Sequence, residues 1–77
     1  MSSRSSGAYD IRAEMVANVL SIQVAVGEQV SFGQQVLLLE SMKMEIPVLS
    51  DAVGAVLEIA VSPGDVVQEG DLLIRVS

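Results

Sequence analysis

The sequence predicts an all-β domain, and three observations carry that prediction. Its 77 residues are 51% hydrophobic but only 3% aromatic, so the core must be built from Val, Leu, Ile and Ala, whose β-branched members favour strands. The apolar residues come in short runs that are divided by turn signals rich in Gly, Pro and Ser. No run keeps the spacing of an amphipathic helix over a useful length. A chain of this size forms one domain.

The first half of the chain is predicted to hold a tail and two strands. Residues 1–9 are rich in Ser and Gly without periodicity, so we expect a disordered tail and a domain that spans residues 10–77. A short strand is expected at residues 11–16. A second strand, at residues 19–24, is ended by Gly27 and Glu28. Strict alternation places four apolar side chains on one inward face: Leu20, Ile22, Val24 and Val26.

A β-hairpin is predicted in the middle of the chain. The turn signal at residues 31–34 leads into the apolar run Val36–Leu39, and a second apolar run follows at Ile46–Leu49. Because each run has the length of a strand, residues 40–45 are expected to form the hairpin tip. Pro47 has no N–H for a ladder, so its strand is expected at a sheet edge or at a bulge.

The remaining third is predicted to contain two further strands and their turns. A turn at residues 51–54 precedes a strand at residues 56–61. Its inward residues should be Leu57, Ile59 and Val61. In Ser62-Pro63-Gly64-Asp65, Pro pre-sets φ at the second position of a turn and Gly accepts a positive φ at the third. A turn at residues 69–71 then leads into the final strand, residues 72–76.

The two halves of the chain repeat each other at a shift of 37 residues. That shift places Gly27 on Gly64 and Gly33 on Gly70. It also matches apolar positions: Val19 with Val56, Leu20 with Leu57, Ile22 with Ile59, Val24 with Val61, and Val30 with Val67. We therefore expect two similar β-units, related by a pseudo-twofold axis and packed on one core. Under that symmetry the hairpin tip should lie at the pole opposite the chain ends.

Composition excludes several classes of function. The chain has no cysteine and no histidine, so it offers no disulfide, no thiolate metal site and no imidazole base. A net charge of −6 argues against nucleic acid, which binds clustered Lys and Arg. No apolar stretch approaches the roughly 20 residues of a membrane span, and the start of the chain lacks the apolar region of a signal peptide. Cytoplasmic residence is therefore expected.

Acidic residues near the turns have a simple explanation. Glu40 and Glu45 flank the hairpin without further ligands, so solvated turn charges fit better than a glycosidase pair or a metal site. Asp65, Glu69 and Asp71 also cluster near turns, but their spacing lacks the alternation of an EF-hand calcium loop. We predict no catalytic residue and no metal site.

Lys43 is the candidate functional residue because it is the only lysine in the chain. A lysine in a turn usually needs no explanation beyond solvation of its charge. Here, however, Met42 and Met44 flank it where the chain should be exposed, and Met there suits a contact surface. A lysine-modifying enzyme would also have a single target, at the midpoint of the duplication.

Residues 40–45, Glu-Ser-Met-Lys-Met-Glu, resemble the acceptor motif of biotinyl domains, usually written with Ala or Ser before Met-Lys-Met. The turns at Gly27 and Gly64 also resemble that family's paired turns, and the similarity covers residues 11–77. The chain looks most like single-domain biotin/lipoyl attachment proteins and the biotin carboxyl carrier domains of biotin-dependent carboxylases. The resemblance implies a flattened β-barrel (a barrel-sandwich hybrid) of two four-stranded antiparallel sheets.

The same resemblance implies the roles of the site residues. Lys43 would be the attachment site for covalent biotin, added by a biotin protein ligase. The biotinylated arm would then serve biotin carboxylase and carboxyltransferase components, with the carrier itself a non-catalytic monomer. The residues beside Lys43 would act in ligase recognition (Met42 and Met44) or as hairpin flanks (Glu40, Ser41 and Glu45). Residues 19–39 leave no room for a protruding loop, so the arm is expected to swing freely.

Two alternatives to a biotin carrier stay open. Lipoyl carrier domains use the same fold, but typically have Asp-Lys-Ala where this chain has Met42-Lys43-Met44. Unmodified biotinyl-lipoyl-like adaptor modules usually lack the acceptor lysine and belong to longer, membrane-tethered chains. The carboxylase that would be served, and its substrate, are not indicated by the residues.

Overall fold

The computed structural model describes residues 8–77 and contains eight β-strands and no helix within that range. The strands are β1 (Tyr9–Arg12), β2 (Ala17–Ile22), β3 (Gln29–Val30), β4 (Gln35–Ser41), β5 (Met44–Leu49), β6 (Gly54–Ile59), β7 (Val66–Val67) and β8 (Leu72–Val76). They form two four-stranded sheets, in the orders β1-β8-β6-β3 and β5-β4-β2-β7. Every pairing is antiparallel. The predicted all-β class and the two antiparallel sheets are confirmed.

No helix in the described part of the chain is long and apolar enough to cross a membrane.

The 37-residue repeat is a structural duplication. Shifting by one repeat carries each strand of one sheet onto the strand at the same place in the other sheet. The two halves also bond to each other reciprocally. Gly27 N–H donates to the Val56 carbonyl at 2.8 Å, and Gly64 N–H donates to the Val19 carbonyl at 2.8 Å. The predicted pseudo-twofold relation is confirmed.

Four type II turns connect the short strands, at residues 25–28, 31–34, 62–65 and 68–71. Each has glycine at its third position, with φ between 85° and 95°, a region that other residues rarely enter. In each turn the fourth N–H donates to the first carbonyl, at 3.0–3.1 Å. The side chain of the fourth residue also accepts the first N–H, at 2.8–3.1 Å. The turn chemistry predicted for residues 62–65 is confirmed.

A β-bulge in β2 corrects one predicted inward residue. Along the ladder with β4, the register shifts between Val19 and Ser21 while the partner advances by one residue. Leu20 is therefore the additional residue, and alternation is reset there. Val19 faces the core at 2% exposure, whereas Leu20 is 39% exposed. The prediction that Leu20 points inward is wrong.

The same bulge recurs one repeat later, in β6 opposite β8, between Val56 and Glu58. Leu57 is consequently exposed and Val56 is buried, so the inward placement of Leu57 is also wrong. Val26 is exposed because it occupies the second position of a type II turn. The remaining predicted core residues are buried or packed against the core: Ile22, Val24, Ile59 and Val61.

The core lies between the two sheets and is wholly aliphatic. β4 and β8 each supply two consecutive, fully buried residues, Val36–Leu37 and Leu73–Ile74. Register shifts against the neighbouring strands β5 and β1 allow this departure from alternation. Because the same irregularity appears in both repeats, it belongs to the duplicated unit.

The first strand begins and ends earlier than predicted. Its ladder with β8 runs from the pair Tyr9–Val76 to the pair Arg12–Leu72. Leu72 is the first residue of β8, so Ala13 bonds to the turn before that strand: its N–H donates to the Asp71 carbonyl at 2.9 Å, and its carbonyl accepts from the Gly70 N–H at 2.8 Å. Of the predicted tail, residues 1–7 lie outside the described residues, and that part stays a prediction. Tyr9 is a strand residue.

Asp10 forms the central ion-pair network of the first sheet. Its carboxylate accepts from Arg75 Nε at 2.8 Å and from Arg12 Nη2 at 2.9 Å. The hydrogen bond from Arg75 and the two positive charges lower the pKa of Asp10, against an opposing effect of desolvation. A depressed pKa means that the carboxylate stabilises the fold above its unfolded pKa of about 3.9, and that this contribution is lost as pH falls through the folded pKa.

We expect Asp10→Asn to lower the free energy of unfolding at neutral pH, with a smaller difference from wild type near pH 2, because the contribution of the wild-type carboxylate decreases as pH falls below its unfolded pKa. Urea unfolding at both pH values measures this. Glu69→Gln removes an exposed carboxylate that has no ion pair within residues 8–77, so its difference from wild type should stay small at both. An Asp10→Asn effect that does not change with pH would contradict the network.

Candidate functional site

β4 and β5 form a hairpin with a two-residue loop. Their ladder extends to the pair Ser41–Met44, so only Met42 and Lys43 lie outside the strands. Both loop residues have positive φ, 53° for Met42 and 66° for Lys43. Two successive left-handed residues define a type I′ turn. The predicted hairpin is present, but its tip is two residues long instead of six.

The turn is strained because neither residue is glycine or asparagine. A left-handed conformation costs an ordinary L-residue about 1 to 2 kcal/mol, and type I′ turns strongly prefer Asn-Gly or Asp-Gly. The ladder below the turn, which pairs β4 with β5 over their length, imposes the conformation. Met42 and Lys43 carry no local signal for such a turn, so the sequence could not predict it.

Met42→Asn should therefore stabilise the domain by about 1 kcal/mol, because Asn tolerates the left-handed region. Chemical denaturation measures the change in the free energy of unfolding. Met44→Asn is the matched control, since Met44 is exposed in a regular strand, where Asn is disfavoured. Equal effects of the two substitutions would contradict strain at the turn.

Lys43 projects from this turn into solvent. Lys43 is exposed, and Met42 beside it is 91% exposed. None of the ion pairs found in the described part of the chain involves Lys43. The amine is therefore accessible to another protein and is not held by a neighbouring carboxylate.

The lysine turn lies at the opposite end of β5 from the pairing of the first and last strands. Tyr9, which pairs with Val76, donates its hydroxyl to Asp51 at 3.1 Å. That hydrogen bond raises the pKa of Tyr9. Asp51 follows the far end of β5, so the strand, at about 3.3 Å per residue, places about 20 Å between Asp51 and the turn. The lysine turn therefore lies at the end of the domain opposite the pairing of the first and last strands, as the repeat predicted.

A row of four side chains crosses the outer face of the second sheet just below the turn. Cross-strand pairing links them in the order Val66, Asn18, Glu40 and Glu45. Directly paired residues project from the same face, and like charges so placed are destabilising. Neither glutamate forms an ion pair with a residue of the described range. The Glu40–Glu45 pair therefore does not serve the stability of the hairpin.

A groove of about 290 Å³ lies directly beside the lysine turn. Its walls are residues 16–18, residues 40–43 and Val66. The sequence does not predict the contribution of Val16, Asn18 and Val66, because their proximity to Lys43 depends on strand pairing between distant segments. Of the predicted site residues, Glu40, Ser41, Met42 and Lys43 line this groove, whereas Met44 and Glu45 do not.

A second groove, of about 420 Å³, separates the edge strands β1 and β5 and does not include the lysine turn. Pro47 lies in β5, so its predicted edge position is confirmed. Within residues 8–77 no three acidic side chains cluster as metal ligands would. Asp65 and Asp71 instead accept backbone N–H groups of their own turns, as solvated turn residues do.

Residues 23–34, between β2 and β4, contain only β3 and two type II turns. No protruding loop is present in this segment, in agreement with the spacing noted above.

The family model described as "Biotin-requiring enzyme", for biotin and lipoyl attachment domains, matches residues 10–76. The chain belongs to the biotin/lipoyl attachment family. It is 53% identical over 70 residues to a biotinylated protein TB7.3 homologue of Mycobacterium leprae, covering 91% of this chain and 99% of that protein. It is also 43% identical over 67 residues to the biotin/lipoyl attachment protein of Bacillus subtilis, covering 87% and 92%.

Two solved structures share the fold of this chain. Kluyveromyces lactis urea carboxylase matches with a TM-score of 0.87 and 29% identity, over 99% of this chain but only 7% of that chain. The lipoyl domain of the 2-oxoglutarate dehydrogenase complex from Azotobacter vinelandii matches with a TM-score of 0.70 and 29% identity, over 80% of this chain and 78% of that domain. This attachment domain is therefore similar both to a segment of a large carboxylase and to a lipoyl domain of a dehydrogenase complex.

Proposed function

We propose that this chain is a biotin acceptor: a biotin protein ligase acylates Lys43, and the attached biotin serves a biotin-dependent carboxylase. The main observation behind this proposal is that Lys43, the only lysine, is exposed on a two-residue turn. Met42 and Met44 flank it on either side. Membership of the biotin/lipoyl attachment family and the similarity to a biotinylated protein support the choice of biotin.

Acylation uses Lys43 as the nucleophile. The neutral amine attacks the carbonyl carbon of biotinyl-adenylate, an amide bond forms, and the bond to the phosphate breaks, so that AMP leaves. The amine proton passes to a base. The chain has no histidine, and none of the ion pairs within residues 8–77 holds a carboxylate against Lys43, so in this proposal the ligase supplies the base. The chain contributes position, because the hairpin ladder holds the amine outward.

The residues beside Lys43 contribute to recognition. Met42 and Met44 offer flexible apolar contact surface, and both are exposed. Glu40, Ser41 and Glu45 line the flanks of the hairpin, where the carboxylates select a partner of opposite charge. Modification removes the Lys43 charge and changes the net charge from −6 to about −7.

As a carrier, the chain works through its tether. Attached biotin supplies a ureido nitrogen that accepts and releases a carboxyl group. A short tether raises the effective concentration of that group at each partner site. The partners in this proposal are the biotin carboxylase and carboxyltransferase components, and the carrier is a non-catalytic monomer. Because ligation consumes ATP, cytoplasmic residence is part of the proposal.

Incubating the chain with ATP, biotin protein ligase and biotin should add one biotinyl group, which intact-mass spectrometry detects. A parallel incubation with lipoate and a lipoate ligase tests the lipoyl alternative, which the Met-Lys-Met centre disfavours. Lipoylation without biotinylation would replace the proposal with a lipoyl carrier. No adduct in either incubation would leave an unmodified adaptor.

A further inference from the structure

Three exposed apolar side chains surround one groove at the lysine turn. Val16 is 55% exposed, Val66 is 62% exposed, and Met42 is almost fully exposed. Single exposed hydrophobic residues are ordinary, but apolar side chains that share a groove indicate a contact surface. Lys43 forms part of the same groove, so whatever reaches the amine also meets these three side chains.

The internal duplication provides a comparison for Val66. At a shift of 37 residues, Val66 in β7 corresponds to Gln29 in β3. Both are exposed first residues of two-residue strands. A polar residue therefore satisfies the structural requirements of this position. The apolar character of Val66 is thus not a requirement of the fold. Val66 lies at the pole that carries the lysine.

Acylation of Lys43 requires a closer approach than the later use of the biotin arm. Before modification, only the four-carbon stem of lysine separates the backbone of the turn from the amine. The activated acyl group is bound inside the ligase, so the ligase must come within that length of the turn. After modification the arm is much longer, and its ring reaches a partner site without the same contact. The surface next to Lys43 is thus needed most in the ligation step.

We propose that Val16, Val66 and Met42 form the docking surface for biotin protein ligase. This inference rests on the proposed function, because it concerns the same lysine. The complementary ligase surface is apolar at its centre and carries Arg or Lys at its rim. Those cations face Glu40 and Glu45, which form no ion pair with the rest of the described chain, and pairing would relieve their mutual repulsion.

The test compares substitutions at the two poles of the domain. Val16→Gln and Val66→Gln should each lower kcat/KM for biotinylation about tenfold, the effect of losing a partly buried valine contact. The change should lie mainly in KM, since docking contacts act before the chemical step. Val53→Gln is the matched control: Val53 is the repeat mate of Val16 and is also exposed. It should leave kcat/KM within about twofold of wild type.

The outcomes separate this inference from the proposed function. If wild type accepts biotin but Val16→Gln and Val66→Gln react as fast as Val53→Gln, the docking surface is wrong while the acceptor function stands. If wild type accepts no biotin, the proposed function itself fails. Thermal unfolding of each variant establishes that slower ligation does not reflect loss of the fold. Wild-type ligation should also slow with added salt, and no slowing would overturn the cationic rim.

Discussion

Lys43→Arg should abolish incorporation of biotin completely, the largest effect expected from any single substitution. The guanidinium of arginine stays protonated in proteins and is not an acylable nucleophile, and the chain has no other lysine. Because charge is retained at an exposed turn position, the free energy of unfolding should change little. Intact-mass spectrometry after incubation with ATP, ligase and biotin measures incorporation.

Restoring a lysine elsewhere tests whether position matters as well as chemistry. In the double variant Lys43→Arg/Arg12→Lys, an exposed amine returns on β1, away from the hairpin. It should stay unmodified, since Arg12 lies in a strand and not in a turn, and has no flanking methionines. Biotin on the double variant would show that the ligase takes any exposed lysine. Biotin on the Lys43→Arg variant would mean that a group other than a lysine side chain is acylated.

Leu37→Ala should cause the largest loss of stability, about 3 kcal/mol. Leu37 is fully buried between the sheets, and truncation leaves a cavity that neighbouring strands cannot close. A domain of this size has a total stability of only about 5 to 10 kcal/mol, so the loss is a large fraction of it. Equilibrium urea unfolding measures the difference in the free energy of unfolding.

Leu20→Ala is the matched control because it removes the same atoms from an adjacent strand. Leu20 is the bulge residue of β2 and is largely outside the core, so its truncation should cost less than about 1 kcal/mol. A loss as large as that of Leu37→Ala would return Leu20 to the core and contradict the bulge.

Local signals in the sequence determined much of this protein. The all-β class follows from short aliphatic runs between turn signals, and the two repeats follow from matched glycines such as Gly27 and Gly64. Those glycines do adopt positive φ, because a type II turn demands it at the third position. Lys43 was identifiable without coordinates because it is the only lysine and stands between two methionines.

Tertiary structure alone decided which face each strand buries and what surrounds the lysine. A bulge adds one residue to one strand of a pair, so Leu20 and Leu57 turn outward although alternation places them inward. The strained turn at Met42 and Lys43 is imposed by the register of β4 against β5. Val66 comes to lie beside the lysine groove through pairing with β2. Register is set by contacts between segments distant along the chain, and a local pattern of residues does not contain it.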